Sequence, residues 1–183
     1  MAWLNPVPYR LIPTDDGESF RTMPKWHTGL PLGQHPGAFG VQRKHHTHGG
    51  VDIYVPISTP VKTVEAGTVV AVVPFTGPRA GLPWWLDTWA VFVEGASGVV
   101  VYGEIASHIS LGQQLGSGEL VGVVMPVLRH DKGRPRSMLH LELHAHGSRS
   151  APQWLDHTVR PEVLRDPTPF LLACSLRDVP IQR

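Results

Sequence analysis

Cysteine is nearly absent: the 183 residues hold one, Cys174. That excludes a disulfide framework within the chain and any cysteine-based zinc site. The flanking segment FLLACSL is apolar, so Cys174 reads as an inert core thiol. An excess of charge of one sign is missing too. Sixteen Lys and Arg stand against fifteen Asp and Glu, a net charge of +1. The basic residues are scattered, which argues against a nucleic-acid binder, whose footprint is a concentrated basic patch. Long apolar runs are lacking. Val69 to Phe75 is the longest, far short of the roughly 20 residues that span a bilayer. The opening residues MAWLNPVPYRLIPTDD show no basic stretch followed by an apolar one, so no Sec signal peptide is expected. There is no internal repeat and no low-complexity tract.

What the chain has in quantity is glycine, proline and histidine. Nineteen Gly and 18 Pro make up about a fifth of it, against a usual share of roughly 12%. That composition favours short strands and many turns over helix bundles. The length fits one domain. Residues 1–38, with NPVP, LIPTDDGES and GLPLGQHPG, read as a Pro/Gly-rich N-terminal arm with one or two short strands, packed on the core. From residue 39 to 183, VDIYVPI, PVKTVEAGTVVAVVPF, WAVFVEGASGVVVYGEI and LVGVVMPVL are β-branched runs punctuated by Gly and Pro. Gly95-Ala96-Ser97-Gly98 supplies a turn between two strands of a meander. The end, RPEVLRDPTPFLLACSL, has room for one or two helical turns. The expected fold is mainly β, a compact antiparallel sheet domain with few short helices.

Eleven histidines are many for this length, and two stretches concentrate them. In HTHGGVDIYVP, His48 and Asp52 are four apart, so on a strand they share a face, and Gly49 and Gly50 let the backbone bend before it. In SMLHLELHAHG, His140, Glu142, His144 and His146 alternate with Leu139, Leu141 and Leu143. The leucines form a core face. The polar row is either a solvated outer face or part of a site. In the functional reading, His140 approaches His48 and Asp52 and completes the three-ligand set that a hydrolytic zinc needs beside an open position.

These stretches carry a family resemblance. GAFGVQRKHHTHGGVDIYVPISTPVKTVEAGTVVAV resembles the opening half of the M23-type (LytM, lysostaphin-like) zinc metallopeptidases, with an FGxR-like lead, HxGxD and a GTPV-like turn. VVVYGEIASHISLGQQLGSGELVGVV is similar to the family's central strand and following turn, and MLHLEL to its HLHFE strand. The order holds from about Phe39 to Leu143, and LRDPTPFLL resembles the family's closing segment. The resemblance implies a groove over the sheet walled by loops, one Zn2+ held by His48, Asp52 and His140, and hydrolysis of short peptides in bacterial peptidoglycan. It also implies a hydrogen-bond partner of a ligand histidine at Glu142.

Two positions depart from that pattern. The family's YxH reads Tyr102-Gly103-Glu104, and its HxH reads Met138-Leu139-His140, so both usual catalytic histidines are replaced. In one reading Glu104 is the general base, Met138 is an apolar wall, and His108 or His144 donates to the oxyanion. In the other, the domain binds zinc without turnover and serves as a module for cell-wall peptide or a protein partner. Weaker signals surround these. Trp84, Trp85 and His130 are expected along the substrate groove, Tyr102 in the packing, and His45 and His46, beside Arg43 and Lys44, in a solvated turn. The implied partner is a peptidoglycan peptide, bound by a monomer with no membrane span and no nucleic acid. The implied location is the bacterial cell wall, reached by a route other than Sec, or otherwise the cytoplasm.

Overall fold

The computed structural model describes residues 2–175; the last residues of the expected domain, 176–183, lie outside them. Eleven strands and one helix follow in order: β1 Arg10–Thr14, β2 His27–Pro31, β3 Val51–Tyr54, β4 Pro60–Lys62, β5 Gly67–Thr76, β6 Thr88–Gly95, β7 Val99–Ala106, β8 Gln114–Leu115, β9 Leu120–Val124, β10 Met138–His144, β11 Leu164–Arg165 and α1 Thr168–Ser175. The fold is mainly β, as its composition implied. β3 to β11 make one nine-stranded sheet whose pairings are all antiparallel.

The β5–β6–β7 meander is held by short turns. Gly95 donates its N–H to the carbonyl of Gly98 at 2.8 Å across the Gly-Ala-Ser-Gly turn. β10 is the strand that organises the rest. One edge pairs with β3, placing His140 opposite Asp52, and further along with β11. The other edge pairs with β7, placing the same His140 opposite Gly103.

Period-two alternation sorts the side chains into two layers. Val51, Ile53, Val100, Tyr102, Leu139, Leu141 and Leu143 enter the main core. Val99, Val101 and Phe92 belong to a smaller cluster on the opposite face. The N-terminal segment closes over the main core. β1 and β2 pair with each other in parallel as a separate ribbon, and Trp3, Val7, Leu11 and Leu30 are buried in the main cluster. Trp3 stacks on Phe170 of α1 with ring centroids 4.6 Å apart. Cys174 is buried beside them, its Sγ 3.2 Å from the carbonyl of Trp3. Tyr102 is fully buried and its hydroxyl accepts the N–H of Val64 at 2.8 Å. Among the described residues no helix is long and apolar enough to cross a membrane.

A candidate metal centre

The polar row of β10 is not a solvated face. All seven residues from Met138 to His144 are buried, the polar ones included. The outer-face reading of His140, Glu142 and His144 therefore fails. His146 lies beyond the end of β10 and is the exposed member of the row. The cover comes from the loop that leads into β3. Asp52 donates its N–H to the carbonyl of Gly37, and the N–H of His48 goes to Val41, both at 2.9 Å. The segment after β10 latches this loop from outside: Thr47 donates its N–H to the carbonyl of Trp154 at 2.8 Å.

His48, Asp52 and His140 converge, and all three are buried. His48 Nε2 lies 3.1 Å from Asp52 Oδ1 and 3.2 Å from His140 Nδ1, and His140 Nδ1 lies 2.8 Å from Asp52 Oδ1. The far side of each ring is already engaged. His48 Nδ1 donates to the carbonyl of Ala38 at 2.9 Å, and His140 Nε2 donates to Glu142 Oε1 at 2.8 Å. In neutral rings that leaves the two inward nitrogens with bare lone pairs facing a carboxylate oxygen. Three such acceptors are tolerable together only around a positive charge.

A tetrahedral zinc with bonds of about 2.0–2.1 Å has ligand–ligand edges of roughly 3.3 Å. The observed separations fall within about half an ångström of that, so donor chemistry and geometry both fit the ion. Without an ion, a proton on His140 meets the same need for positive charge. Burial by itself would depress His140, but hydrogen bonds to Asp52 and Glu142 override it and raise the ring to about 10. Burial also opposes ionisation of Asp52, yet His48, Arg43 and His140 together hold its carboxyl well below the usual range.

The glycines of HTHGG have a steric purpose. A Cβ on Gly50 would stand 2.8 Å from His140 Nε2, 2.9 Å from Glu142 Cγ and 2.7 Å from the carbonyl oxygen of Leu141. Only a residue without a side chain lets the loop lie flat on the His140–Glu142 pair.

Glu104 reaches the same site by breaking the rule of alternation. Tyr102 points into the main core, and regular pleating would send Glu104 after it. Instead the register against β6 shifts between Trp89 and Val91, and Glu104 adopts φ 64°. This left-handed conformation is unfavourable by about 1 kcal/mol or more for a residue with a side chain. Glu104 is buried and its Oε2 has no hydrogen-bond partner. Burial, reinforced by the negative charge of Asp52, raises its carboxyl to about 8.

The remaining expected residues separate. Met138 packs with Tyr54 and Val127, and Trp85 packs against this cluster from outside, next along the strands from Asp52 and His140. Trp84 is exposed, as is His130 in the β9–β10 loop. His108 lies just past the end of β7 and is exposed. His144 is buried with both ring nitrogens engaged, Nε2 by Glu142 Oε2 at 2.6 Å and Nδ1 by the Ser148 hydroxyl at 3.0 Å. Neither nitrogen is available to a substrate oxygen.

Two residues at the site escape sequence reasoning. Arg43 stands behind Asp52. Its Nη2 donates to Asp52 Oδ2 and to the carbonyl of Pro36, both at 2.6 Å, fixing the carboxylate oxygen that faces away from the histidines. His35, buried at the end of the N-terminal segment, accepts the N–H of Gly37 at Nδ1 and lies 6.2 Å from the Tyr54 ring, with Nε2 unpartnered. The arginine of the FGxR-like lead was the one signal that could have flagged Arg43, and nothing distinguishes His35.

No family model and no curated protein matches this chain. Solved structures similar to it include a Pseudomonas aeruginosa protein described as a candidate M23 peptidase, at 22% identity over 75% of this chain and 48% of that one, with a TM-score of 0.44. The catalytic domain of the antimicrobial peptidase lysostaphin from Staphylococcus simulans is 18% identical over 74% of this chain and 87% of its own, with a TM-score of 0.49. The catalytic domain of a variant of the prophage-encoded M23 protein EnpA from Enterococcus faecalis is 20% identical over 68% and 92%, with a TM-score of 0.48. This chain spans about half the length of the first of these. The chemistry of the site rests on its own side chains.

Proposed function

We propose that this chain is a zinc-dependent peptidase that hydrolyses peptide bonds in bacterial cell-wall peptides. The observation that carries the reading is the triangle of His48 Nε2, Asp52 Oδ1 and His140 Nδ1, with every outward nitrogen already bonded, beside a buried carboxyl group with an unpartnered oxygen. The cell-wall substrate follows from the sequence resemblance to M23 enzymes, and peptidases of that type are among the similar solved structures.

In this reading His48, Asp52 and His140 hold the zinc. Arg43 and Glu142 orient Asp52 and His140 from behind. Zinc, when bound, supplies a Lewis acid that lowers the pKa of water and polarises a carbonyl. Its charge also favours the ionised form of Glu104, offsetting the burial that keeps the carboxyl protonated. Glu104 Oε2 then takes the proton of the attacking water and returns it to the nitrogen of the leaving amine. Met138, Tyr54 and Trp85 offer an apolar wall beside the reacting bond. The protein acts as a monomer on peptidoglycan peptide at the cell wall.

The test is release of soluble muropeptides from purified peptidoglycan by zinc-loaded protein. Release is expected, with loss of at least a hundredfold in Glu104→Gln. Zinc binding with no release by the native chain would overturn the enzyme reading in favour of a zinc-holding, peptide-binding module.

A further inference from the structure

His140 and Glu142 do not end the hydrogen-bonded chain that begins at the candidate metal centre. Glu142 sits between two imidazoles on one strand face, its Oε1 2.8 Å from His140 Nε2 and its Oε2 2.6 Å from His144 Nε2. His144 is fully buried and Glu142 nearly so. Beyond His144 Nε2 the ring is fixed twice more: Nδ1 is hydrogen-bonded to the Ser148 hydroxyl oxygen at 3.0 Å, and the ring meets Phe92 edge-on at 5.9 Å between centroids. Ser148 belongs to the segment just past β10, at the rim of the fold.

A carboxylate bound at one oxygen can still swing about its last torsion. One held at both oxygens by rings that cannot turn has its plane fixed. The plane of Glu142 in turn determines which nitrogen of His140 carries the proton and where the other nitrogen points. Residues at alternate positions of one strand are the natural way to stack such a chain, because their side chains rise parallel from the same face.

We propose that His144 is a positioning residue for the metal centre, acting through Glu142 to fix the tautomer and aim of His140. This rests on the reading of His48, Asp52 and His140 as zinc ligands. It gives His144 a different task from donation to the substrate oxyanion, since both of its nitrogens are committed elsewhere.

Zinc affinity, measured on the full chain by competition with a chromogenic chelator, tests this without reference to turnover. His144→Leu is expected to weaken zinc binding about 10- to 100-fold, the range for loss of a group behind a metal ligand. His144→Gln, which keeps an N–H that can reach Glu142, is expected to recover most of the loss. With Co2+ in place of zinc, the visible bands should shift in His144→Leu and stay near native in His144→Gln. Native-level affinity in a folded His144→Leu would overturn the inference, and so would equal losses in both variants, which mark a merely structural side chain. If His144→Leu does not fold, long-range proton–nitrogen NMR of the native zinc-loaded chain decides. A slowly exchanging, downfield proton on His144 Nε2 supports the relay, and an unprotonated Nε2 overturns it. A native chain that binds no zinc refutes the underlying reading instead, so the two failures are distinguishable.

Discussion

Replacing Glu104 by Gln in the metal-free protein should make the fold more stable in alkali. Burial and the nearby Asp52 raise this carboxyl from 4.5 to about 8. Its pKa is higher in the folded than in the unfolded chain, so the native state holds the proton more tightly. Stability from this group is fully present below about 4.5 and falls as the pH rises through about 8. At about 1.4 kcal/mol per pKa unit, that shift corresponds to a cost on the order of 5 kcal/mol, or roughly 3 kcal/mol once water and side chains relax around the charge. Glutamine has a similar shape and no charge to bury. Urea unfolding of chelator-treated native protein and Glu104→Gln, at pH 5 and at pH 9, measures the effect. The two should be near parity at pH 5, and the variant more stable by about 3–5 kcal/mol at pH 9. His140, whose own pKa is raised to about 10, titrates in both proteins and attracts the Glu104 carboxylate, so the difference reports Glu104 together with that coupling. Zinc should shrink the gap by stabilising the carboxylate. An unchanged difference between the two pH values in metal-free protein would refute the claim that Glu104 is a buried carboxyl beside Asp52.

Two further substitutions probe the frame of the site. Arg43→Leu removes the guanidinium from Asp52 Oδ2 and should weaken zinc binding about tenfold or more by chelator competition, while leaving the β-rich circular dichroism spectrum in place. Gly50→Ala drives a methyl group to 2.7 Å from the carbonyl oxygen of Leu141 and 2.8 Å from His140 Nε2; it should destabilise the fold by about 2–4 kcal/mol in urea and lower zinc affinity with it.

Much of the architecture was legible because β-structure leaves a period of two in the sequence. Leu139, Leu141 and Leu143 marked the core face of β10, and the Gly-Ala-Ser-Gly turn marked the β6–β7 hairpin. The even spacing of His48 and Asp52 pointed to a shared strand face, but His48 lies in the loop before β3 and reaches Asp52 from there, while the register of β3 against β10 brings His140 opposite Asp52. Alternation does not tell which face the loops will cover, so the polar row of β10 looked as much like a solvated surface as a site. It also assumes regular pleating. The left-handed residue at 104 turns a side chain from the core face to the site, and no periodicity reveals that. Arg43 was hidden because its partner lies across a closed loop, where spacing along the chain carries no information. His108 and His144 looked equivalent as spare histidines near the ligands. One proves to be exposed past the end of its strand, the other locked between Glu142 and Ser148.

The central claim is that His48, Asp52 and His140 hold one zinc ion. A crystal of the zinc-loaded chain, with anomalous differences collected on both sides of the zinc edge, tests it most directly. The account predicts a single strong peak about 2.0–2.2 Å from His48 Nε2, from a carboxylate oxygen of Asp52 and from His140 Nδ1, with Arg43 and Glu142 still behind their partners. No peak, or a peak bound by other residues while these three remain hydrogen-bonded to one another, would contradict it.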